Sequence, residues 1–242
     1  MIKKTLILCT IATTIGAPIV FDSISAYASN NDSIQYETSY SSDLNQQEDV
    51  LNDFLENIKS FKDNNPDISD KDFENYVDNL LTKNSKSTNP NLRNLEDYIS
   101  GKLNSKEQAL YNKNKSKGLL CMANGKLAIK YSEQNYKSSE LHNGNGDAFR
   151  HALWNYGMAL DVGVSFAKEW STAHEEGAKG QPAIEKKMDL FNNNVGLHQI
   201  NVNSKPGSIS KMISIVKARV RAGGCQVIRN GKITNSSSAG EK

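Results

Sequence analysis

The stretch N-G-N-G-D-A-F-R-H-A-L-W, from Asn143 to Trp154, carries the signals that decide the fold of this chain. Its two glycines indicate a break in the chain before Asp147, whose carboxylate then lies at the favourable, positive end of the next helix. Asp147 and His151 are four residues apart and share one face of that helix, whereas Phe149 and Leu153 lie on the other face. The stretch therefore predicts a helix with one polar and one apolar side.

Two further clusters of polar residues follow this helix. His174 and Glu175 come one turn after Trp170, and Asp189 precedes two asparagines, Asn192 and Asn193, at helical spacing. All four histidines of the chain lie between positions 142 and 198. We therefore expect three helices to direct acidic, amide and imidazole groups towards one space.

The rest of the pattern predicts a mainly α protein. Apolar residues recur at helical spacing before and after the polar clusters, up to about residue 220. Beyond them, Asn230-Gly231 stands between two short apolar runs and predicts a type I′ turn. The expected fold is a helical bundle-like domain with a small C-terminal β-hairpin, preceded by a helical hairpin.

The N-terminal half divides into segments of different composition. Two lysines, an apolar run and Ala26-Tyr27-Ala28 predict a signal peptide over residues 1–28 and hence secretion, with an uncleaved anchor as the alternative. Residues 29–46 are polar and predict a disordered tether. Residues 47–90 predict the helical hairpin, and residues 91–242 predict the main domain.

Cysteine content and charge limit the classes of function. Removal of the signal peptide leaves Cys121 and Cys225, which in an oxidising compartment predict a disulfide bond, with two free thiols as the alternative. The net charge is only +2, which argues against a nucleic-acid partner. The apolar run near the N-terminus is too short for a stable membrane span.

The three polar motifs together resemble a known family. The D-A-F-R-H-A-x-W run, the A-H-E after it and the later M-D-x-x-N-N-x-x-G are similar to an uncharacterised domain of secreted bacterial proteins and polymorphic toxins. The resemblance covers roughly residues 104–198 and implies a shared site. The positions that it carries over are Asp147, Arg150, His151, Trp154, His174, Glu175, Asp189, Asn192, Asn193 and Gly196.

The residue types of this site favour a secreted hydrolase, with a toxin or effector as one possibility. Two imidazoles and carboxylates suit a divalent metal such as zinc, with an open position for water. The expected ligands are Asp147, His151, His174 and Asp189. The expected catalytic residues are His151, His174, Glu175 as proton shuttle and Arg150 as stabiliser of negative charge, and the expected substrate-binding residues are Asn192, Asn193 and Trp154.

Two alternatives remain open from the sequence. In a metal-free site, His151 acts as a base oriented by Asp147, and His174 acts as the acid. In a non-enzymatic binding module, the same residues form a buried polar network, and the N-terminal hairpin binds a protein partner. A phosphoester or a lipid ester is the expected substrate of the hydrolase.

Overall fold

A computed structural model describes residues 32–202 and 206–242, with side chains described from residue 45 onward. The predicted signal peptide, residues 1–28, lies outside the described residues. Within the described part the protein is mainly α, and its one sheet is a C-terminal pair of antiparallel strands. The predicted fold class is confirmed.

The N-terminal part is a pair of helices followed by two short ones. These are α1 (Asp32–Asn64), α2 (Asp70–Ser85), α3 (Pro90–Arg93) and α4 (Leu95–Lys102). Leu51 and Ile58 on α1 are buried, as are Phe73 and Val77 on α2, so the apolar stripes of the two helices enter the core. The Ser69 side chain accepts a hydrogen bond from the backbone of the first turn of α2, as its N-cap position predicts.

Helix α1 begins earlier than the composition suggests. Residues 29–46 were expected to form a disordered tether, but the chain is helical from Asp32 onward. The physical reason lies just after this segment, where the Gln47 side chain is buried and donates to the backbone of Asn91. Once such a contact holds one turn, each added residue extends the helix at little further expense of free energy.

Glu48 ties α1 to the rest of the molecule. Its carboxylate accepts a hydrogen bond of 2.8 Å from the Tyr98 hydroxyl and pairs with Lys102, both on α4. It also pairs with Lys126 of the main domain. One carboxylate therefore joins the helical hairpin to two other parts of the fold.

The main domain is built around one buried helix, α7. Nearly every residue of α7 is buried, because it contacts α6, α8, α9, α10 and the first strand. This is why its sequence is apolar on one side and carries paired polar groups on the other. The elements of the domain are α5 (Ser105–Lys113), α6 (Lys115–Asn135), a 3-10 turn (Ser138–Glu140), α7 (Asn145–Val162), α8 (Val164–Gly177), α9 (Ala183–Asn194), a π-helical turn (Val195–Gln199), α10 (Ile209–Arg221), β1 (Gln226–Arg229) and β2 (Lys232–Asn235).

The C-terminal hairpin has the predicted turn. Asn230 and Gly231 both adopt positive φ angles, 51° and 73°, which the two central residues of a type I′ turn require. The strands pair in register, with Ile228 opposite Ile233. The backbone N–H of Ile228 donates to the carbonyl of Asn143, so the hairpin contacts the residues just before α7.

The predicted disulfide bond is wrong for this structure, because Cys121 and Cys225 are both free and buried. Cys225 lies near Tyr136, at the end of α6, where it acts on the pKa of that phenol. Cys121 precedes Tyr136 by about 15 residues of helix, or roughly 22 Å. A disulfide needs Cα atoms less than about 7 Å apart. Burial raises the pKa of both thiols, that of Cys225 to about 12, and keeps them protonated.

Among the described helices, none has the length and apolar character needed to cross a membrane.

We expect Glu48→Gln to remove a pH-dependent part of the stability. Although burial raises the pKa of Glu48, hydrogen bonds from Lys102 and Lys126 outweigh burial and lower the pKa from 4.5 to about 2. A lowered pKa stabilises the fold above pH 4.5, and this contribution disappears as the pH falls towards 2. Urea unfolding at neutral pH should show a loss of about 1–2 kcal/mol, a figure reduced for partial exposure.

The matched control is Glu56→Gln on the same helix. The Glu56 side chain is 69% exposed and lies 3.9 Å from Lys130, so its removal should leave the stability within about 0.5 kcal/mol of the wild type. An equal loss of stability in both variants, or an unchanged pH dependence in Glu48→Gln, would contradict the role of Glu48.

Candidate metal centre

Three side chains from two helices meet in the interior of the main domain. Asp147 and His151 come from α7, Asp189 comes from α9, and one potential ligand atom of each lies within 4.8 Å of the others. His151 Nε2 is 3.5 Å from Asp147 Oδ1 and 3.3 Å from Asp189 Oδ1. The three residues are 1–6% exposed. We call Asp147, His151 and Asp189 the acidic triad.

Local sequence places Asp147 at the start of the buried helix. The backbone N–H of Asn143 donates to Asp147 Oδ2 at 2.7 Å, and the carboxylate lies in the first turn of α7. The backbone can pass this close to Glu140 and start α7 because position 144 is a glycine. A Cβ atom at that position would lie 2.7 Å from the Cα of Glu140. The predicted break before Asp147 thus has a steric cause.

The far side of the His151 ring sets its orientation. Nδ1 lies 3.0 Å from Asn193 Oδ1 and 3.7 Å from Glu175 Oε1, and both of these oxygens are acceptors. Nδ1 therefore carries the proton, and the lone pair of Nε2 is directed towards the two aspartates. Asn193 is itself held, because its amide nitrogen donates to Glu175 at 3.1 Å.

Asp189 carries an oxygen without a partner. Its Oδ2 accepts a hydrogen bond of 2.6 Å from Gln181, in the loop between α8 and α9. Its Oδ1, which faces His151, is buried and has no hydrogen-bond partner among the described residues. Gln181 Oε1 is likewise buried without a partner there. Such groups are destabilising unless a donor or a cation reaches them.

Arg150 supplies the positive charge at the acidic triad. Its Nη2 lies 2.5 Å from Asp147 Oδ1 and 2.9 Å from His151 Nε2. The guanidinium therefore sits between two of the three potential ligand atoms. One guanidinium faces three buried carboxylates, those of Asp147, Glu175 and Asp189, so negative charge is in excess.

The pKa shifts follow this imbalance. Burial raises the pKa of Asp147, but the charge and hydrogen bond of Arg150, together with the other groups around the carboxylate, outweigh burial and lower it. Burial and then Arg150 lower the pKa of His151, so its imidazole is neutral. Burial and then the charge of Asp147 raise the pKa of Asp189 to about 7. The two aspartates thus differ in their tendency to hold a negative charge.

His174 does not join the acidic triad, contrary to its predicted role as a metal ligand. Its Nδ1 lies 2.8 Å from Glu107 of α5, and its ring packs edge-on against Trp154. Burial lowers the pKa of His174, but the hydrogen bond and charge of Glu107 outweigh burial and raise it. His174 faces α5, whereas Glu175, the next residue along the helix, faces His151.

Two residues predicted to bind substrate instead hold the fold together. Asn192 donates to the carbonyl of Gln226 at 2.9 Å and accepts from its N–H at 2.8 Å, which anchors strand β1. Trp154 is 7% exposed, and its indole N–H donates to the carbonyl of Cys121. Neither side chain is free for a ligand. Asn193, the third predicted residue, contacts His151 itself.

Three residues at the site were given no role from the sequence. Asn155 donates to Asn193 at 2.7 Å, Gln181 donates to Asp189, and Glu107 pairs with His174. Asn155 lies one turn after His151, so its position on the polar face was a usable signal. The sequence also contained a signal for Glu107, because Asn104-x-x-Glu107 is a capping box. No local pattern marked Gln181, which lies in a loop.

Gly196 explains how α7 and the π-helical turn approach each other. A Cβ atom at this position would lie 2.3 Å from the carbonyl oxygen of Ala152 and 2.8 Å from the Asn155 side chain. Only a glycine permits this contact, which brings the end of α9 against the helix that carries His151. The glycine of the M-D-x-x-N-N-x-x-G motif is therefore a packing residue.

One family model matches the chain. It is described as a domain of unknown function, DUF6973, and it covers residues 108–223. The chain is thus similar to that family over α6 to α10, a span that contains the whole acidic triad, Arg150, Glu175 and Asn193. Helices α1 to α4 and the C-terminal hairpin lie outside the match. No curated protein and no solved structure matches the chain.

We expect Asn192→Ala to weaken the attachment of the hairpin. The side-chain nitrogen and oxygen of Asn192 both bond to the Gln226 backbone, and truncation removes both partners from that part-buried backbone. Urea unfolding should show a loss of about 1–3 kcal/mol. Asn194→Ala, at the exposed neighbouring position, is the control and should change stability by less than about 0.5 kcal/mol. Equal losses would show that the Gln226 contacts contribute nothing specific.

Proposed function

We propose that this protein is a metal-dependent hydrolase and that the acidic triad holds its metal ion. The observation that carries the proposal is the Oδ1 of Asp189, which has no hydrogen-bond partner in the part of the chain that the structure describes and faces His151 Nε2 at 3.3 Å inside a buried site. Three lone pairs, one from each residue of the triad, are directed at the same space. A metal ion that replaced the Arg150 guanidinium at Asp147 Oδ1 and His151 Nε2 would contact all three.

The excess of buried negative charge supports a cation of more than one charge. Arg150 balances one of the three buried carboxylates; of the other two, Asp189 is only partly ionised near neutral pH, because burial raises its pKa to about 7. Carboxylate oxygens with one imidazole suit zinc, manganese or magnesium. Gln181 Oε1, also buried without a partner among the described residues, is available as a further oxygen donor near Asp189. A metal held by three protein groups keeps a position for water and can activate that water for hydrolysis.

The neighbouring residues fit supporting roles. Asn193 and Glu175 hold the Nδ1 side of His151, which is the usual way in which a ligating histidine is oriented. Glu175 therefore fits a positioning role better than proton transfer at the metal, because it lies on the opposite side of the ring. His174 and Glu107 hold α5 against α8 in this proposal.

Arg150 is the residue that we assign to the substrate. It contacts Asp147 and His151, and its side chain is 16% exposed, more than any member of the triad. If Asp147 and His151 held a metal ion, the guanidinium would be released from them and could stabilise the negative charge that develops on a bound ester. A guanidinium pairs well with phosphate, which favours phosphoester or phospholipid substrates over neutral esters.

The position of Arg150 also favours a second candidate. If the guanidinium is the permanent partner of Asp147 and His151, the cluster is a structural network, and the protein is a non-enzymatic binding module. In that case the N-terminal hairpin is the surface for a protein partner. The metal-free hydrolase, with His151 as base, is a third outcome of the same tests.

Secretion and a link to toxins are further proposals. Secretion is supported by the lysines, the apolar run and Ala26-Tyr27-Ala28 near the N-terminus. The toxin link is supported only by the likeness of the three motifs to a domain of secreted and polymorphic-toxin proteins. The small net charge supports substrates other than nucleic acid.

Asp189→Asn tests the metal centre without enlarging or truncating a side chain. Wild-type protein stripped with a chelator and dialysed against zinc or manganese should retain a single ion by elemental analysis. At a metal concentration near 100 times the dissociation constant, it should gain about 2.7 kcal/mol in stability. Asp189→Asn should retain no ion and gain nothing, because its amide replaces a charged ligand oxygen.

His198→Gln is the matched control, since it removes an exposed histidine outside the triad. It should bind metal like the wild type. Equal metal content in wild type and Asp189→Asn, or no retained metal in the wild type, would refute the metal centre. Without metal, Asp189→Asn would be more stable than the wild type if the repulsion with Asp147 is relieved. Both a metal centre and a structural network would give this result, so the stability of each protein without metal is measured separately.

Arg150→Gln separates metal binding from catalysis. We expect the metal-loaded wild type to hydrolyse a phosphodiester such as bis(p-nitrophenyl) phosphate or a phospholipid vesicle, and a chelator to abolish the activity. Arg150→Gln should keep its metal and lose about 10²–10³-fold in kcat. Hydrolysis that survives the chelator would favour the metal-free mechanism. A retained metal with no activity on either substrate would favour the binding module.

A further inference from the structure

A second histidine with an oriented ring lies outside the acidic triad. Nδ1 of His174 on α8 is 2.8 Å from Oε1 of Glu107 on α5, and Oε2 of Glu107 accepts the backbone N–H of Asn104 at 2.9 Å. Both oxygens of this carboxylate are acceptors, so Nδ1 of His174 carries a proton. A buried carboxylate that fixes one ring nitrogen in this way is typical of an imidazole that transfers protons through its other nitrogen.

The other ring nitrogen of His174 is open. Nε2 has no hydrogen-bond partner in the part of the chain that the structure describes, and unlike Asp189 Oδ1 it is not closed off from solvent. The His174 side chain is 22% exposed, whereas that of His151 is 2% exposed. The ring is nevertheless held, because it packs edge-on against Trp154, whose indole N–H is bonded to the backbone of Cys121. Nε2 is thus a fixed and accessible nitrogen.

His174 lies beside the acidic triad without joining it. Its ring contacts Trp154, which comes one helical turn after Arg150 on α7. Glu175, the residue after His174, reaches His151, and the charges of Glu175 and Arg150 both act on the pKa of His174. Arg150 has open donors as well, because its Nε and Nη1 make no hydrogen bond to any described residue. An ester that these donors hold is therefore close to His174.

The charged groups around His174 favour its protonated form. Burial lowers the pKa of His174, but the hydrogen bond and charge of Glu107, with a smaller effect of Glu175, outweigh burial and raise it. The guanidinium of Arg150 acts in the opposite direction without reversing this result. His151 differs, because burial and then Arg150 lower its pKa and leave it neutral. One imidazole therefore suits a metal ligand, and the other suits a proton donor.

We propose that His174 is the general acid of this site, an inference that rests on the proposed hydrolase, and that the substrate is a phosphodiester with a poor leaving group. In the reaction, a bond forms between an oxygen of water and phosphorus, and the bond from phosphorus to the leaving oxygen breaks. The proton on His174 Nε2 passes to that leaving oxygen. The attacking water releases a proton to solvent, and the imidazole regains one from solvent. Glu107 is the positioning residue that keeps Nδ1 bonded throughout.

His174→Asn separates this role from a structural one. The asparagine amide places an N–H near the position of Nδ1 and keeps the bond to Glu107, but it has no counterpart of Nε2. The metal-loaded variant should lose about 10²-fold or more in kcat on diphenyl phosphate, because phenolate leaves poorly without a proton. On bis(p-nitrophenyl) phosphate, whose leaving group is a stable anion, the loss should be less than about tenfold. The metal content should equal that of the wild type, since His174 lies outside the acidic triad.

Glu107→Gln tests the positioning of the ring through its pH dependence. Without the carboxylate, the pKa of His174 should fall, which the ring proton resonances of His174 report directly in an NMR titration. The kcat of an enzyme that needs protonated His174 declines as the pH rises through this pKa, so in Glu107→Gln the decline should begin at lower pH. The control is His198→Asn, at an exposed position, which should change neither the pH profile nor the ratio of the rates on the two esters.

Equal losses on the two esters in His174→Asn, or the same pH profile in Glu107→Gln and the wild type, would overturn the role of His174 while leaving the metal centre in place. Wild-type protein that retains metal but hydrolyses neither ester would instead refute the hydrolase, and the role of His174 with it. Melting temperatures are measured alongside. If His174→Asn fails to fold, the NMR titration and the pH profile of Glu107→Gln decide the assignment.

Discussion

The hydrogen bonds of Asn193 connect the three helices on which the site depends. Its side-chain oxygen lies 3.0 Å from His151 Nδ1 and accepts a hydrogen bond of 2.7 Å from Asn155, both on α7. Its amide nitrogen donates to Glu175 on α8. Burying polar residues on a helix is unfavourable unless they find partners, and one asparagine on α9 supplies a partner for both His151 and Asn155.

The three consecutive asparagines at the end of α9 have different surroundings. Asn192 binds the backbone of the C-terminal hairpin, Asn193 binds the polar face of α7, and Asn194 is exposed. Side chains of successive helical residues point in directions about 100° apart. Three consecutive asparagines can therefore face the hairpin, α7 and solvent in turn. The close contact of Gly196 with α7 holds this end of α9 in place.

The electrostatics of the interior separate two kinds of buried charge. Glu48 and the Lys59–Asp161 pair join the hairpin to the main domain through opposite charges in contact. The acidic triad instead brings two carboxylates together, with that of Glu175 on the other side of His151, and one guanidinium serves the three. Such a cluster lowers the free energy of unfolding unless a cation or a proton is bound, and proteins keep such clusters mainly at functional sites.

The sequence by itself determined the local features. Helical spacing placed Asp147 and His151 on one face of α7, Ser69 marked the start of α2, and Asn230-Gly231 marked the hairpin turn, because these signals depend on neighbours within a few residues. Tertiary structure decided which polar groups meet. His174 turned to Glu107, Asn192 turned to the hairpin, and Gln181 reached Asp189 from a loop. The two cysteines ended as separate buried thiols, and residues 32–46 lie in α1. Each of these outcomes depends on how helices distant in the chain pack together, and no local pattern records that packing.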